Sequence, residues 1–174
     1  MLRYAAIYGG IAGAIVISVM IAGFMMSEGA HGSVWVGYLT MLVALSMIFV
    51  AVKRYRDRER GGVIKFWPAF GLGLATAAAA GVIYVAVWEV YLAATDYAFI
   101  DSYTESVIEK KKEEGLSGEA LEKEAANMKA LADNYGNPLF RLPMTFLEIF
   151  PVGLIVALIS AAILRNPKAF PAKA

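Results

Sequence analysis

Apolar residues in this chain gather into four long blocks, and polar residues fall between them. The blocks are 4–26, 34–52, 66–94 and 142–164. A helix needs about 20 apolar residues to cross a bilayer. The pattern therefore predicts an all-α polytopic membrane protein with four transmembrane helices at those bounds, in a single membrane domain over 1–174. Residues 95–141, between the third and fourth blocks, are polar but not featureless. Ser102-Tyr103-Thr104-Glu105 has the form of a capping box, which starts a helix. Gly115 suits the position just past that helix's end. Ser117 can cap a second helix that Gly136-Asn137-Pro138 stops. Along it Leu121, Ala125, Met128, Ala132 and Tyr135 recur every three or four residues and make one apolar stripe. The expectation is a helical hairpin whose stripe is covered by its own first helix, by the membrane surface or by another protein.

Charge adds an orientation. Lys53, Arg54, Arg56, Arg58, Arg60 and Lys65 all lie between the second and third blocks. Arg3, Arg165, Lys168 and Lys173 fall on that same side, while the loop 27–33 has neither Lys nor Arg. Basic residues stay on the cytoplasmic face, so both termini are expected in the cytoplasm and the hairpin outside. In a bacterium this is the inner membrane with a periplasmic hairpin. Residues 95–141 carry ten acidic and six basic residues, a net charge of −4. Arg3 ahead of an apolar run also suits a signal peptide, but the run is long and 27–33 is a poor cleavage context; a retained helix is expected. The basic stretch should also attract anionic lipid head groups. Trp35, Tyr38, Trp67, Trp88 and Tyr91 fall near block ends, as an aromatic belt does.

The composition is 59% hydrophobic and only 18% charged, against about 25% charged in soluble domains. There is no cysteine, hence no disulfide, thiolate ligand or cysteine nucleophile. No basic, aromatic-interleaved surface suggests nucleic acid. No nucleophile–base–orienter set and no phosphate-binding glycine loop is visible, so no catalytic residue and no cofactor is expected. His31 with Glu28, Met25 and Met26 is a poor metal set.

Small residues mark helix-packing faces. Gly9 and Gly13 form a G-x-x-x-G pair, and Gly73, Ala77 and Gly81 repeat every four residues; such faces let helices approach closely in lipid. They serve packing within one bundle or association with another chain. Two carboxylates stand out in the apolar blocks, Glu89 and Glu148. A carboxylate at membrane depth is protonated, paired or open to water. One reading is a proton or cation site, with His31, Glu28, Asp96 and Arg141 at the same membrane face. The other is structural, with Glu148 paired to Arg141 and Glu89 reaching for the interface. Pro151 removes a backbone donor beside Glu148 and should kink the helix there.

Two strings, Arg54-Tyr55-Arg56-Asp57-Arg58-Glu59-Arg60-Gly61-Gly62-Val63-Ile64 and Asn137-Pro138-Leu139-Phe140 with Met144-Thr145-Phe146-Leu147-Glu148-Ile149-Phe150-Pro151-Val152-Gly153-Leu154-Ile155, resemble a bacterial family of small inner-membrane proteins of unknown function. The resemblance implies four membrane helices with a charged helical loop before the last. It implies no activity and no site residue. The expectation is a non-enzymatic accessory or interaction subunit of a membrane complex. Its partners would be the lipid bilayer and another membrane protein or a second copy. The alternative is a small proton- or cation-handling transporter or channel using Glu89 and Glu148.

Overall fold

A computed structural model describes residues 1–26 and 34–171. His31, Glu28 and Lys173 lie outside the described residues, as do the side chains of Met25 and Met26. Seven helices follow in chain order: α1 Leu2–Met26, α2 Val34–Leu45, α3 Met47–Glu59, α4 Phe66–Ala94, α5 Phe99–Glu113, α6 Glu119–Tyr135 and α7 Pro138–Leu164. No strand occurs among the described residues. The candidate membrane spans are Leu2–Phe24, Trp35–Glu59, Phe66–Ala94 and Pro138–Leu164. The chain is thus an all-α polytopic membrane protein, with α5 and α6 as a hairpin between the third and fourth spans.

Helix α4 packs against α1 on one side and α7 on the other. The second span, α2 with α3, lies across α1 and α7 and closes the bundle. Lipid gives no hydrophobic drive between membrane helices, so close van der Waals fit must hold them. Glycine makes that fit possible. A Cβ on Gly9 would stand 2.6 Å from the Thr76 carbonyl oxygen, and one on Gly13 would stand 2.5 Å from that of Ala80. On the other side, Gly73 faces Ala157, Gly153 faces Ala77, and Gly81 receives the ring of Phe146. These glycines are therefore occupied within the chain. Gly10 and Gly71 meet nothing within 4 Å. Gly13→Ala is expected to destabilise the bundle by about 1–3 kcal/mol, because backbone must move to admit the methyl. Gly10→Ala should be neutral or slightly stabilising in the same melt in detergent.

Four boundaries depart from the expectation. The second span runs to Glu59, seven residues past Val52, so the basic cluster is mostly helical. Helix α7 starts at Pro138, not Leu142, because the Asn137 side chain accepts from the Leu139 amide at 3.0 Å and caps the helix. Pro138 then occupies the first turn, where no amide partner is lost. Helix α5 begins at Phe99, so Ser102 is not its cap; the Ser102 hydroxyl donates back to the Ala98 carbonyl at 3.2 Å. Gly118, at φ 60°, takes the place expected for Ser117 at the start of α6. Gly115, at φ 91°, follows the end of α5 in the left-handed conformation that glycine adopts without strain.

The hairpin packs on itself. On its stripe Leu121, Met128 and Ala132 are half-buried and Ala125 is exposed. No residue of α5 is fully buried, and Tyr135 alone is in α6.

Candidate functional site

The hairpin end of the bundle carries two polar networks, one at each of the carboxylates singled out above. The upper one centres on Arg141, in the first turn of α7. Its guanidinium donates to both carboxylate oxygens of Glu89 on α4, Nε to Oε1 and Nη2 to Oε2, each at 2.7 Å. Nη1 donates to the Tyr135 carbonyl at 2.9 Å. This two-pronged geometry is the strong form of a carboxylate pair. The rings of Tyr97 and Tyr135 lie 5.1 and 5.7 Å from the guanidinium carbon. Asp96 and Tyr97 both adopt positive φ, 51° and 58°. That conformation is costly for residues with a Cβ, and the turn it makes sets the Tyr97 ring beside the arginine. Arg141 is 3% exposed and Glu89 26%. The pairing of Arg141 with Glu148 weighed from sequence is not made. Glu89 is not reaching alone for the interface either. Asp96 is exposed and enters no side-chain bond of this network.

Glu148 sits seven residues further along α7, about 10 Å deeper at 1.5 Å per residue. The Tyr84 hydroxyl donates to its Oε2 at 3.0 Å and also lies 2.9 Å from the Met20 sulfur. No salt bridge reaches Glu148 among the described residues. Beside it, Trp88 Nε1 donates to the Tyr135 hydroxyl at 2.7 Å. Trp88 is 3% exposed, so it belongs to the core and not to an aromatic belt. Trp35 and Trp67, at 83% and 75% exposed, face outward as belt residues do. Burial pushes the Tyr135 phenol up from its ordinary value. The Thr145 hydroxyl lies beside that phenol, buried, without a hydrogen bond of acceptable geometry.

Tyr84, Trp88, Phe99, Tyr103, Tyr135 and Glu148 line a cavity of about 190 Å³ at the base of the hairpin. A more open cavity of about 300 Å³ shares Phe24, Phe99 and Tyr103 with it. Beneath Glu148 the bundle is apolar and dense: Ile149, Ile48 and Ala157 are fully buried, and Gly153 touches Ala77. Pro151 lies on the exposed side of α7, which continues through both Pro143 and Pro151.

The two carboxylates thus belong to separate networks. Four partners were missed in the sequence: Arg141 as the counter-ion of Glu89, and Tyr84, Trp88 and Tyr135 around Glu148. The signal available was the Asn137-Pro138 cap, which moves Arg141 inside α7 and level with the end of α4. No group of three or more His, Asp or Glu side chains among the described residues is placed to hold a metal.

No curated protein and no solved structure matches the chain. The profile of a family described as "Protein of unknown function (DUF4199)" matches residues 7–166. That span takes in all four membrane helices, the hairpin and both polar networks, and the chain belongs to this DUF4199 family.

Proposed function

We propose that the protein is a non-enzymatic interaction subunit of the bacterial inner membrane, with both termini cytoplasmic, and that hairpin α5–α6 is its docking element. One observation carries this reading: the hairpin has an anchored base and a bare body. Its base is held by Trp88 on Tyr135 and by Arg141 on the Tyr135 carbonyl. Above that, none of its side chains is fully buried. The small-residue faces at Gly9, Gly13, Gly73, Ala77 and Gly81 are filled by the chain's own helices, which moves the docking role from the membrane faces to the hairpin. Native mass spectrometry of the protein extracted from its own membrane is expected to show a stoichiometric partner. Reversing exposed charges with Glu105→Lys and Glu109→Lys should release that partner without altering the melting temperature. A chain that leaves its membrane alone, or a partner indifferent to those changes, overturns the reading.

The alternative, proton or cation handling at Glu89 and Glu148, draws support at one position only. Glu89 is engaged by Arg141, whereas Glu148 has no basic partner among the described residues. Unchanged proteoliposome flux in Glu148→Gln counts against it.

A further inference from the structure

We infer that the cavity over Glu148 is a binding site for an organic ammonium group, held by the Glu148 carboxylate and by the aromatic faces of the residues around it. The carboxylate lies inside a membrane span, with apolar packing below it. A charged side chain there requires an opposite charge or water. Arg141, the nearest basic residue along α7, already gives two hydrogen bonds to Glu89. Tyr84 offers Glu148 one hydroxyl and no charge. Among the described residues no cation faces Glu148, so an ionised carboxylate here is open to one from outside, and the walls indicate which kind.

Those walls are aromatic. Trp88 and Phe99 meet edge-on with ring centroids 4.8 Å apart, and Phe99 stacks on Tyr103 at 5.8 Å. Aromatic faces attract cations through their quadrupole, most strongly where water is excluded, and quaternary ammonium groups are held in such cages. A hard metal ion would want six or more oxygen ligands. Here the oxygens are one carboxylate and the phenols of Tyr84, Tyr103 and Tyr135. A neutral ligand would fill the space and leave Glu148 without a counter-charge. The cavity of about 190 Å³ is several times the roughly 30 Å³ share of one water, the size class of a small organic ammonium group. Phe99 and Tyr103 belong to α5, so the hairpin forms one wall, and both also line the more open cavity beside it. The ammonium could be that of a free amine or of a lipid head group; both present the same chemistry.

The test uses the full chain in discs of pure phosphatidylglycerol, which carries no ammonium. Trp35→Phe and Trp67→Phe replace two exposed indoles and leave Trp88 as the sole tryptophan. Choline chloride is expected to produce a saturable change in Trp88 emission that equal sodium chloride does not. The uncharged carbon isostere, 3,3-dimethylbutanol, should bind at least about tenfold more weakly, as should choline to Glu148→Gln. Glutamine keeps the Tyr84 hydrogen bond, and an unchanged melting temperature shows that the variant is folded. Tyr103→Leu, on the hairpin wall, gives a second loss of affinity without touching the bundle. Adding phosphatidylethanolamine to the discs separates the sources. Weakened choline binding means that the lipid head group takes the site, and unchanged binding means that a free cation does. The inference is overturned if folded protein shows no saturable change, if choline and its isostere bind alike, or if Glu148→Gln binds as the parent does.

Discussion

Arg141→Met is expected to destabilise the bundle by about 3–5 kcal/mol, since removing one partner of a buried ion pair strands the other. Three hydrogen bonds go with the guanidinium, two to Glu89 and one to the Tyr135 carbonyl. The contacts to the Tyr97 and Tyr135 rings go as well. The hairpin should loosen at its base before the spans separate, because the Tyr135 carbonyl is where α6 is tied to α7. Glu89→Leu alone strands the buried Arg141 and should also be costly, eased only because Arg141 keeps the Tyr135 carbonyl and two aromatic rings. The double variant Arg141→Met with Glu89→Leu should recover part of the loss, because no charge is then left unpaired. Melts in detergent measure all three. Strictly additive losses would mean that the pair carries no coupling and that Arg141 acts only through Tyr135. Protease accessibility of 95–137 in the single variant separates loosening at the hairpin from general unfolding.

The architecture was legible in the sequence for a simple physical reason. A bilayer tolerates only long apolar helices, so blocks such as 4–26 and 66–94 leave little choice. The ends of those helices were harder to read. At Val52 and Leu142 the apolar run stops but the helix does not. Beyond the hydrocarbon, backbone hydrogen bonds and caps such as Asn137 decide the boundary, and hydropathy is silent about them. The carboxylates could be flagged from depth alone. Their partners could not, because pairing depends on the rotation of α4 against α7. That rotation is set by the contacts of Gly73 with Ala157 and of Gly81 with Phe146. Trp88 shows the same limit. Its place near a helix end suggested an interfacial ring, and only helix rotation turns it inward onto Tyr135. Depth is one-dimensional information, and a site needs the angular coordinate too.

Arg56 shows how charge statistics can hide a structural residue. Within a run of six basic residues it reads as one more topology signal, yet it is fully buried, the largest such side chain among the described residues. Its Nη1 donates to the carbonyls of Leu164 at 3.4 Å and Ala169 at 2.9 Å, its Nη2 to that of Phe170, and its Nε to Asp57 at 2.7 Å. Asp57 is held from its other oxygen by Lys53 at 2.6 Å. The last carbonyls of a helix have no partners within it, and the negative end of its dipole favours a cation there. Arg56 meets both needs for α7 and folds the tail back against the bundle, where the ring of Phe170 packs edge-on to Phe49. Arg56→Met is expected to destabilise by about 2–3 kcal/mol, since the Leu164, Ala169 and Phe170 carbonyls and Asp57 lose their donor together. Arg56→Lys should recover only part, because an ammonium is a point charge and cannot span carbonyls as a planar fork does. The tail reports the difference locally. A tag fused after Ala174 should be cut much faster by a site-specific protease in Arg56→Met, and at an intermediate rate in Arg56→Lys. By contrast, Arg58→Met, which removes an exposed charge from the same run, should change neither the melt nor the cleavage rate. If Arg56→Met behaves like Arg58→Met, the basic run is a topology signal throughout and α7 ends without its help.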